Sequence, residues 1–331
     1  MTTLTAQNVS SIKEIPSHYK TVTNDKKRNE NELNTTECKS VSDKTKTIDL
    51  SKRVNDKRSL KNTLFTVLMG GFALTACLPL FSILYMLITK GASRLSFDTL
   101  VDLPPAGFEM GGGIGSAIQG TLVMVAIASV LSIPLGIIAA IYINEVSPNS
   151  KLASIGNFLA KVLTGLPSIL AGIFAFTIVV AVMGTYSAFA GGVALAILML
   201  PTVIITAIEG LKSVPQKMKD AAFGMGCTRT QAIWKVTLPT AAPSLTTGVL
   251  LAVAGAAGES APLLFTALFS SYYLESLAEP TASLSILIYN FSGLPFPNQI
   301  ELAWTASLVL VLIVLAFNLI ARVIGRTKHT L

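Results

Sequence analysis

EGLKSVPQKMKDAAFGMGCTRTQAIWKVTLPTAAP, residues 209–243, is the longest polar interruption inside an otherwise apolar region. One apolar run ends just before it at Ile208, and another begins near Ser244. Five basic residues lie in it: Lys212, Lys217, Lys219, Arg229 and Lys235. A loop this basic between two candidate spans belongs on the cytoplasmic side of a membrane. The stretch also carries helix punctuation. Ser213 is placed to cap a helix starting at Pro215, where a missing N–H costs nothing. Met218, Ala221, Ala222 and Met225 recur at i, i+3, i+4 and i+7, one apolar face. Gly224 and Gly226 can end that helix. Thr228 and Gln231 form a capping-box pattern for a second short helix, which carries Ile233, Trp234 and Val236 and which Pro239 stops. The pattern predicts two short amphipathic helices forming an L-shaped plug on the membrane surface. Spacing alone leaves a plain connecting loop open.

The composition agrees with a membrane setting. Of 331 residues 51% are hydrophobic and 13% charged, and the mean hydropathy is +0.63. That predicts an all-α polytopic membrane protein. The net charge of +7 does not indicate nucleic acid, because the basic residues flank apolar runs and form no stripe. Cys38, Cys77 and Cys227 make no CxxC pair, so neither a disulfide framework nor a zinc site follows. His18 and His329 lie in polar end segments and carry no assigned chemistry.

Residues 1–62 form a separate regime, rich in Ser, Thr, Asn and Lys, with 13 Lys and Arg against 8 Asp and Glu. They read as a disordered cytoplasmic tail without the apolar region of a signal peptide. Lys52, Arg53, Lys57, Arg58 and Lys61 directly precede the first span, should hold the N-terminus inside, and can meet anionic lipid. Residues 63–331 then hold six expected transmembrane helices: Leu64–Ile88, Ala117–Ile143, Ile155–Met183, Phe189–Ile208, Ser244–Leu268 and Trp304–Ile324. Each reaches the ~20 residues needed to cross hydrocarbon. The third is long, and Lys161 puts part of it at the interface. With the N-terminus inside, the outer loops hold only Lys90 and Arg94 as basic residues, beside Asp98, Asp102, Glu109, Glu275, Glu279 and Glu301. Both termini are therefore expected in the cytoplasm. The glycines at 111, 112, 113 and 115 follow no strand and precede no P-loop lysine, so they read as a flexible entry to the second span. Leu284–Tyr289 reads as a short helix on the outer face.

Glu259 is the one ionisable side chain placed within a span, in Gly258-Glu259-Ser260-Ala261-Pro262. A buried carboxylate is costly unless paired or wet, so it is a functional candidate, with a structural ion pair as the alternative. Small residues around it permit close helix approach, and Pro262 frees a carbonyl. Ser168, after Pro167, and Thr202, after Pro201, can line a polar cavity between bent helices, or simply bond to the preceding turn.

Asp220-Ala221-Ala222, then Gly226, then Val236-x-Leu238-Pro239 resembles the EAA–G–(I)–LP signature of ABC importer permeases, with Asp for the usual Glu and Val for the usual Ile. GESAPLLFTAL at Gly258–Leu268, LPSILAGI at Leu166–Ile173 and Glu301-Leu302-Ala303-Trp304 are similar to the permease subunits of phosphate-specific ABC importers, over about residues 112–325. The resemblance implies a type I ABC importer permease fold with core 112–325. It implies ATPase coupling by loop 209–243 through Asp220, Ala221, Ala222, Gly226, Val236, Leu238 and Pro239. It implies a translocation path near Glu259, Gly258, Ser260, Pro262, Ser168 and Thr202. No cofactor is expected in this chain, ATP and Mg being bound by a partner ATPase. The implied partners are a second related permease, an ATPase dimer, an extracytoplasmic phosphate-binding protein, phosphate and the lipid bilayer, with no nucleic acid. Gly255 and Ile205 stand where that family commonly has arginines. The substrate charge would then be met by the partner permease or by helix N-termini. Three rivals stay open: an ABC permease for molybdate, sulfate or an organic anion; a stand-alone secondary transporter or channel; and a membrane-embedded enzyme. Against the last, the chain has no Gly-Lys pair for a Walker A loop, no HExxH and no credible Ser/His/Asp set.

Overall fold

The computed structural model describes residues 57–325. The tail lies outside the described residues up to position 56. Its last part is not tail, because helix α1 already runs Lys57–Gly91. Once the apolar run nucleates the helix, extension by a few polar residues costs little.

The chain divides within α1, into Met1–Thr75 and Ala76–Leu331. Of the first unit, the described part is helical, and its Leu64, Phe65, Val67, Leu68 and Phe72 are all exposed. A helix apolar on every side suits lipid.

In the second unit α1 ends at Gly91, and short turns Ala92–Arg94 and Phe97–Val101 follow. Helix α2 spans Gly115–Ile141 and continues as a π turn, Tyr142–Val146. Helix α3 is Lys151–Thr164; helix α4 is Ser168–Ala175, prolonged through a π turn to Met183. Helix α5 spans Ala188–Lys212, and α6 spans Gln216–Gly224. The turn Arg229–Ala232, a π turn at Ile233–Thr237 and helix α7, Leu238–Ala257, run as one rod. Helices α8, Leu284–Ser292, and α9, Pro297–Gly325, complete the unit.

Among the described residues five helices are long and apolar enough to cross a membrane, or six if the bent pair α3–α4 counts as one. That pair takes the place of the single span expected over 155–183. The two halves turn by 108° at residues 165–167. Pro167 supplies no N–H and disfavours helix at Leu166, so the rod breaks there. The expected span 244–268 is also corrected. Its helix starts at Arg229 and stops at Ala257, so Glu259 lies in a break and not within a continuous helix.

Helices α2 and α5 form the centre. Met124, Leu195, Met199 and Val203 are buried there with Leu263 and Ile286. Small residues on α5 (Ala188, Ala190, Ala194, Ala207) let its neighbours approach closely. At the end carrying residues 209–243, Ala140, Ala207, Leu211, Val214 and Leu245 close a second cluster.

The opposite end is tied by hydrogen bonds. Arg94 Nη2 donates to the Gly111 carbonyl at 2.7 Å, and Asn298 Nδ2 donates to that of Glu109 at 2.6 Å. The Gly113 and Ile114 amides donate to Leu103 and Thr99 carbonyls at 2.9 and 2.8 Å. The glycine run is thus pinned, where flexibility was expected. Helix α8 is corrected too. It does not lie on a surface: Leu284, Ile286 and Leu287 are buried. Its first free amide, Leu284, donates to Thr121 Oγ1 of α2 at 2.9 Å, which gives that backbone donor a partner inside the protein.

Candidate functional site

Two sites emerge at different depths. The first is the turn between α5 and α7. Ser213 does not cap α6. It is the C-cap of α5, with its hydroxyl donating to the Gly210 carbonyl at 2.7 Å. Pro215 itself takes the N-cap position of α6, without a side-chain cap.

The far end of α6 explains Gly226. The Cys227 amide donates to the Ala222 carbonyl at 3.1 Å, and the Gly226 amide to that of Phe223 at 2.9 Å. These 6→1 and 5→2 bonds are a Schellman motif, whose C′ residue must be left-handed. Gly226 has φ +82°. The capping box follows at once: Thr228 Oγ1 accepts from the Gln231 amide at 3.4 Å, and Gln231 Oε1 accepts from the Thr228 amide at 3.0 Å. Two residues therefore separate one closed helix end from one closed helix start.

Pro239 does not stop the second helix. The Leu238 amide reaches back to Ile233, an i→i−5 bond that widens the helix just before the proline ring. A π turn at this point relieves the clash that a proline brings to an α-helix. Val236 and Leu238 are half-buried and Pro239 is exposed.

The apolar face expected on α6 faces outward. Met218 is 43% exposed and Met225 78%, Ala221 is exposed, and only Ala222 is buried. Phe223 and Trp234 add exposed apolar area at 46% and 63%. Asp220 is exposed and accepts from Gln216 Nε2 at 2.9 Å. A small surface with a carboxylate and several large apolar side chains is presented at this end, a composition suited to a protein partner.

One contact here was missed from the sequence. Lys219 Nζ lies 2.6 Å from Glu145 Oε1, and the two side chains are only 13% and 10% exposed. Asn144 Nδ2 donates to the same oxygen at 2.8 Å. The pair borders a cavity of ≈ 220 Å³ lined also by Phe223, Arg229 and Thr237. The available signal was Glu145 itself, an acid beside the basic loops of this end.

The second site is the break after α7. Gly258 is the C-cap of α7, Glu259 and Ser260 are non-helical, and the next single turn is Ala261–Leu264, with Pro262 in its second position. The Glu259 carbonyl accepts from Ser285 Oγ of α8 at 2.8 Å. The Glu259 carboxylate is half-buried, and among the described residues it has neither hydrogen bond nor ion pair. Helix α4 meets this break backbone to backbone: a Cβ on Gly172 would stand 2.7 Å from Pro262 Cα and 2.9 Å from its carbonyl oxygen. Ser168, half-buried, lies one turn before Gly172. The segments LPSILAGI and GESAP, far apart in sequence, are thus in contact. Thr202 is half-buried on α5, and no hydrogen bond joins it to the break; its carbonyl accepts from Thr206 at 2.9 Å. Gly255 is exposed with open space beside it, and Ile205 is half-buried.

The family model described as binding-protein-dependent transport system inner membrane component matches residues 132–328. The chain is similar to the phosphate transport system permease protein PstA of Yersinia pestis, at 38% identity over 82% of this chain and 92% of that one. It is similar also to the probable phosphate transport system permease protein PstA of Methanocaldococcus jannaschii, at 37% over 78% and 92%. A chain of a bacterial alginate ABC transporter in complex with a pentasaccharide-bound periplasmic protein shares the fold, with TM-score 0.58 and 17% identity over 81% and 96%. So does one from the inward-facing MetNI methionine ABC transporter, with TM-score 0.52 and 21% identity over 65% and 93%.

Proposed function

The chain belongs to the family of binding-protein-dependent transport system inner membrane components, and we propose that it is the permease subunit of an ATP-driven inorganic phosphate importer. It forms half of the translocation path and takes its drive from a separate ATPase. The observation that carries this reading is the turn at 216–239. There the signature positions build two closed helix ends that present Asp220, Ala221, Met218 and Met225 outward. The relatives' printed function supplies the substrate.

In this reading loop 209–243 and both termini are cytoplasmic, as the distribution of Lys and Arg requires. The ATPase dimer binds and hydrolyses ATP with Mg, and its closure moves α6. A second, related permease completes the path, and a phosphate-binding protein delivers substrate at the opposite end. Alternating access is a two-state equilibrium, biased by nucleotide on one side and by the loaded binding protein on the other. Asp220, Ala221, Ala222, Gly226, Val236, Leu238 and Pro239 act in coupling. Gly258, Glu259, Ser260, Pro262, Ser168 and Thr202 line the path. Glu259 pairs with an arginine of the partner permease or takes a proton from bound phosphate. A second reading, import of another anion, draws on Gly255 and Ile205 at places where the phosphate family commonly has arginines.

The test is co-purification of the tagged chain from membranes, followed by ATPase assay with loaded binding protein. Stimulation by phosphate-loaded protein supports the reading. ATPase activity indifferent to phosphate moves the substrate to another anion. A chain that brings down no ATPase sinks the coupling role.

A further inference from the structure

We infer that the Lys219–Glu145 ion pair is the strut that transmits motion of α6 to α2, so that these two positioning residues set how tightly ATP hydrolysis is coupled to transport. The inference rests on the proposed permease function.

The argument starts from how little else holds α6. On this nine-residue helix only Lys219 and Ala222, at i and i+3, are shielded from solvent, while Gln216 and Phe223 border the adjoining cavity and stay exposed. Lys217, Asp220, Ala221 and Gly224 are exposed. An alanine methyl makes a smooth contact that can slide. An ion pair of 2.6 Å between side chains 13% and 10% exposed is directional and cannot slide without breaking. Separating it would strand a charge in a poorly hydrated place, which is far costlier than losing an exposed pair. The pair also joins residues 74 apart in the chain, so it links elements that the backbone does not.

The receiving end is suited to the role. Glu145 lies in the π turn Tyr142–Val146 that ends α2. Asn144 donates to the same carboxylate oxygen and so holds it toward Lys219. Helix α2 is in turn the central helix, packed on α5 through Met124, Leu195 and Val203. A push on the outward face of α6 therefore reaches α2 through one directional contact, beside the short backbone link to α5. A π turn marks a place where a helix can change register.

The test uses the complete transporter, reconstituted with its ATPase, second permease and binding protein in proteoliposomes. Phosphate uptake and ATP hydrolysis are measured together for native protein, E145Q, K219Q and the exchange E145K/K219E. The readout is ATP hydrolysed per phosphate transported, which general loss of folded protein does not change. Each single variant should raise that ratio by about two- to thirty-fold, the range for residues that carry coupling. The exchange should bring it back toward the native value. Single variants with the native ratio overturn the inference, as does an exchange no better than the singles. If the singles no longer co-purify with the ATPase, recovery of assembly by the exchange supports the pair, and failure to recover overturns it. A native complex without phosphate-stimulated hydrolysis removes the proposed function and the strut together, and the native control distinguishes that outcome.

Discussion

Replacing Gly226 and Gly224 by alanine, two positions apart, should change the stability of the coupling turn in opposite directions. Neither site is crowded: a Cβ added at either has no heavy atom within 4 Å. Sterics with neighbours therefore drop out, and only backbone conformation remains. Gly226 has φ +82°. An L-residue held there costs about 1–2 kcal/mol. The reduced freedom of the unfolded chain returns about 0.4–1 kcal/mol. The net expectation is a loss of roughly 1 kcal/mol for G226A, about fivefold in the opening equilibrium of the turn. Gly224 is the last residue of α6, with helical backbone. G224A should gain about 0.4–1 kcal/mol from the same unfolded-state term. Hydrogen exchange of the peptide covering residues 216–231, in the assembled complex, measures both. G226A should exchange faster and G224A slower than native, with G226N between native and G226A, because Asn tolerates the left-handed region. Slower exchange in G226A would refute the Schellman assignment, since it would mean that an ordinary φ is adopted at that position.

Other outcomes follow from the second site and the opposite end. G172A places a Cβ 2.7 Å from Pro262 Cα; because backbone must move, it should cost about 1–3 kcal/mol and lower uptake, while exchange at 216–231 stays native. Native uptake by G172A would mean that α4 and the break need not touch. E259Q keeps the shape of Glu259 and removes its charge; uptake should fall about tenfold, the scale of one lost charged contact, with the complex still assembled. Normal uptake by E259Q takes Glu259 out of the mechanism. R94M keeps the apolar stem but loses the bonds to the Asn298 and Gly111 carbonyls, at 3.0 and 2.7 Å. Bonds of this charged kind contribute about 1.5–3 kcal/mol, so the unfolding midpoint of the purified complex should drop by several degrees, and an unchanged midpoint would show that the opposite end is not held by Arg94.

What could be read from the sequence is what short-range chemistry decides. Thr228 and Gln231 form the capping box, because cap, amide and acceptor all lie within one turn. Gly226 ends α6 for the same local reason. Ser213 was misassigned because a serine beside a helix boundary serves either end, and here its hydroxyl turns back to Gly210. A bend at Pro167 was legible from the proline, but not its 108° size, which the packing of the two halves sets. The apolar face of α6 was legible, but not that it points outward. Periodicity reports that a face is apolar, and not what covers it. The pairs Lys219–Glu145 and Gly172–Pro262 join positions 74 and 90 apart. No local rule reaches that far, so the tertiary fold alone reveals them.

These long-range contacts also bear on why the turn is built as it is. Helix α6 lies beside two π turns, Tyr142–Val146 and Ile233–Thr237. Glu145 comes from the first; Ile233 and Thr237 of the second border the same ≈ 220 Å³ cavity. Within α6 itself only one side chain, that of Ala222, is fully buried. An element with so little buried apolar area opens and shifts at low cost. Such an element would be a poor anchor if its ends could fray. Here the C-terminal end is closed by the Schellman and capping-box bonds between Ala222 and Gln231, and the N-terminal end follows α5 after only Ser213, Val214 and Pro215. A closed C-terminal end and a short link to α5 on a loosely seated helix let it move as one piece. The Lys219–Glu145 contact then decides which part of the membrane domain moves with it. A coupling helix seated on a broad apolar face would resist the ATPase, and one held by no directional contact would move without moving anything else.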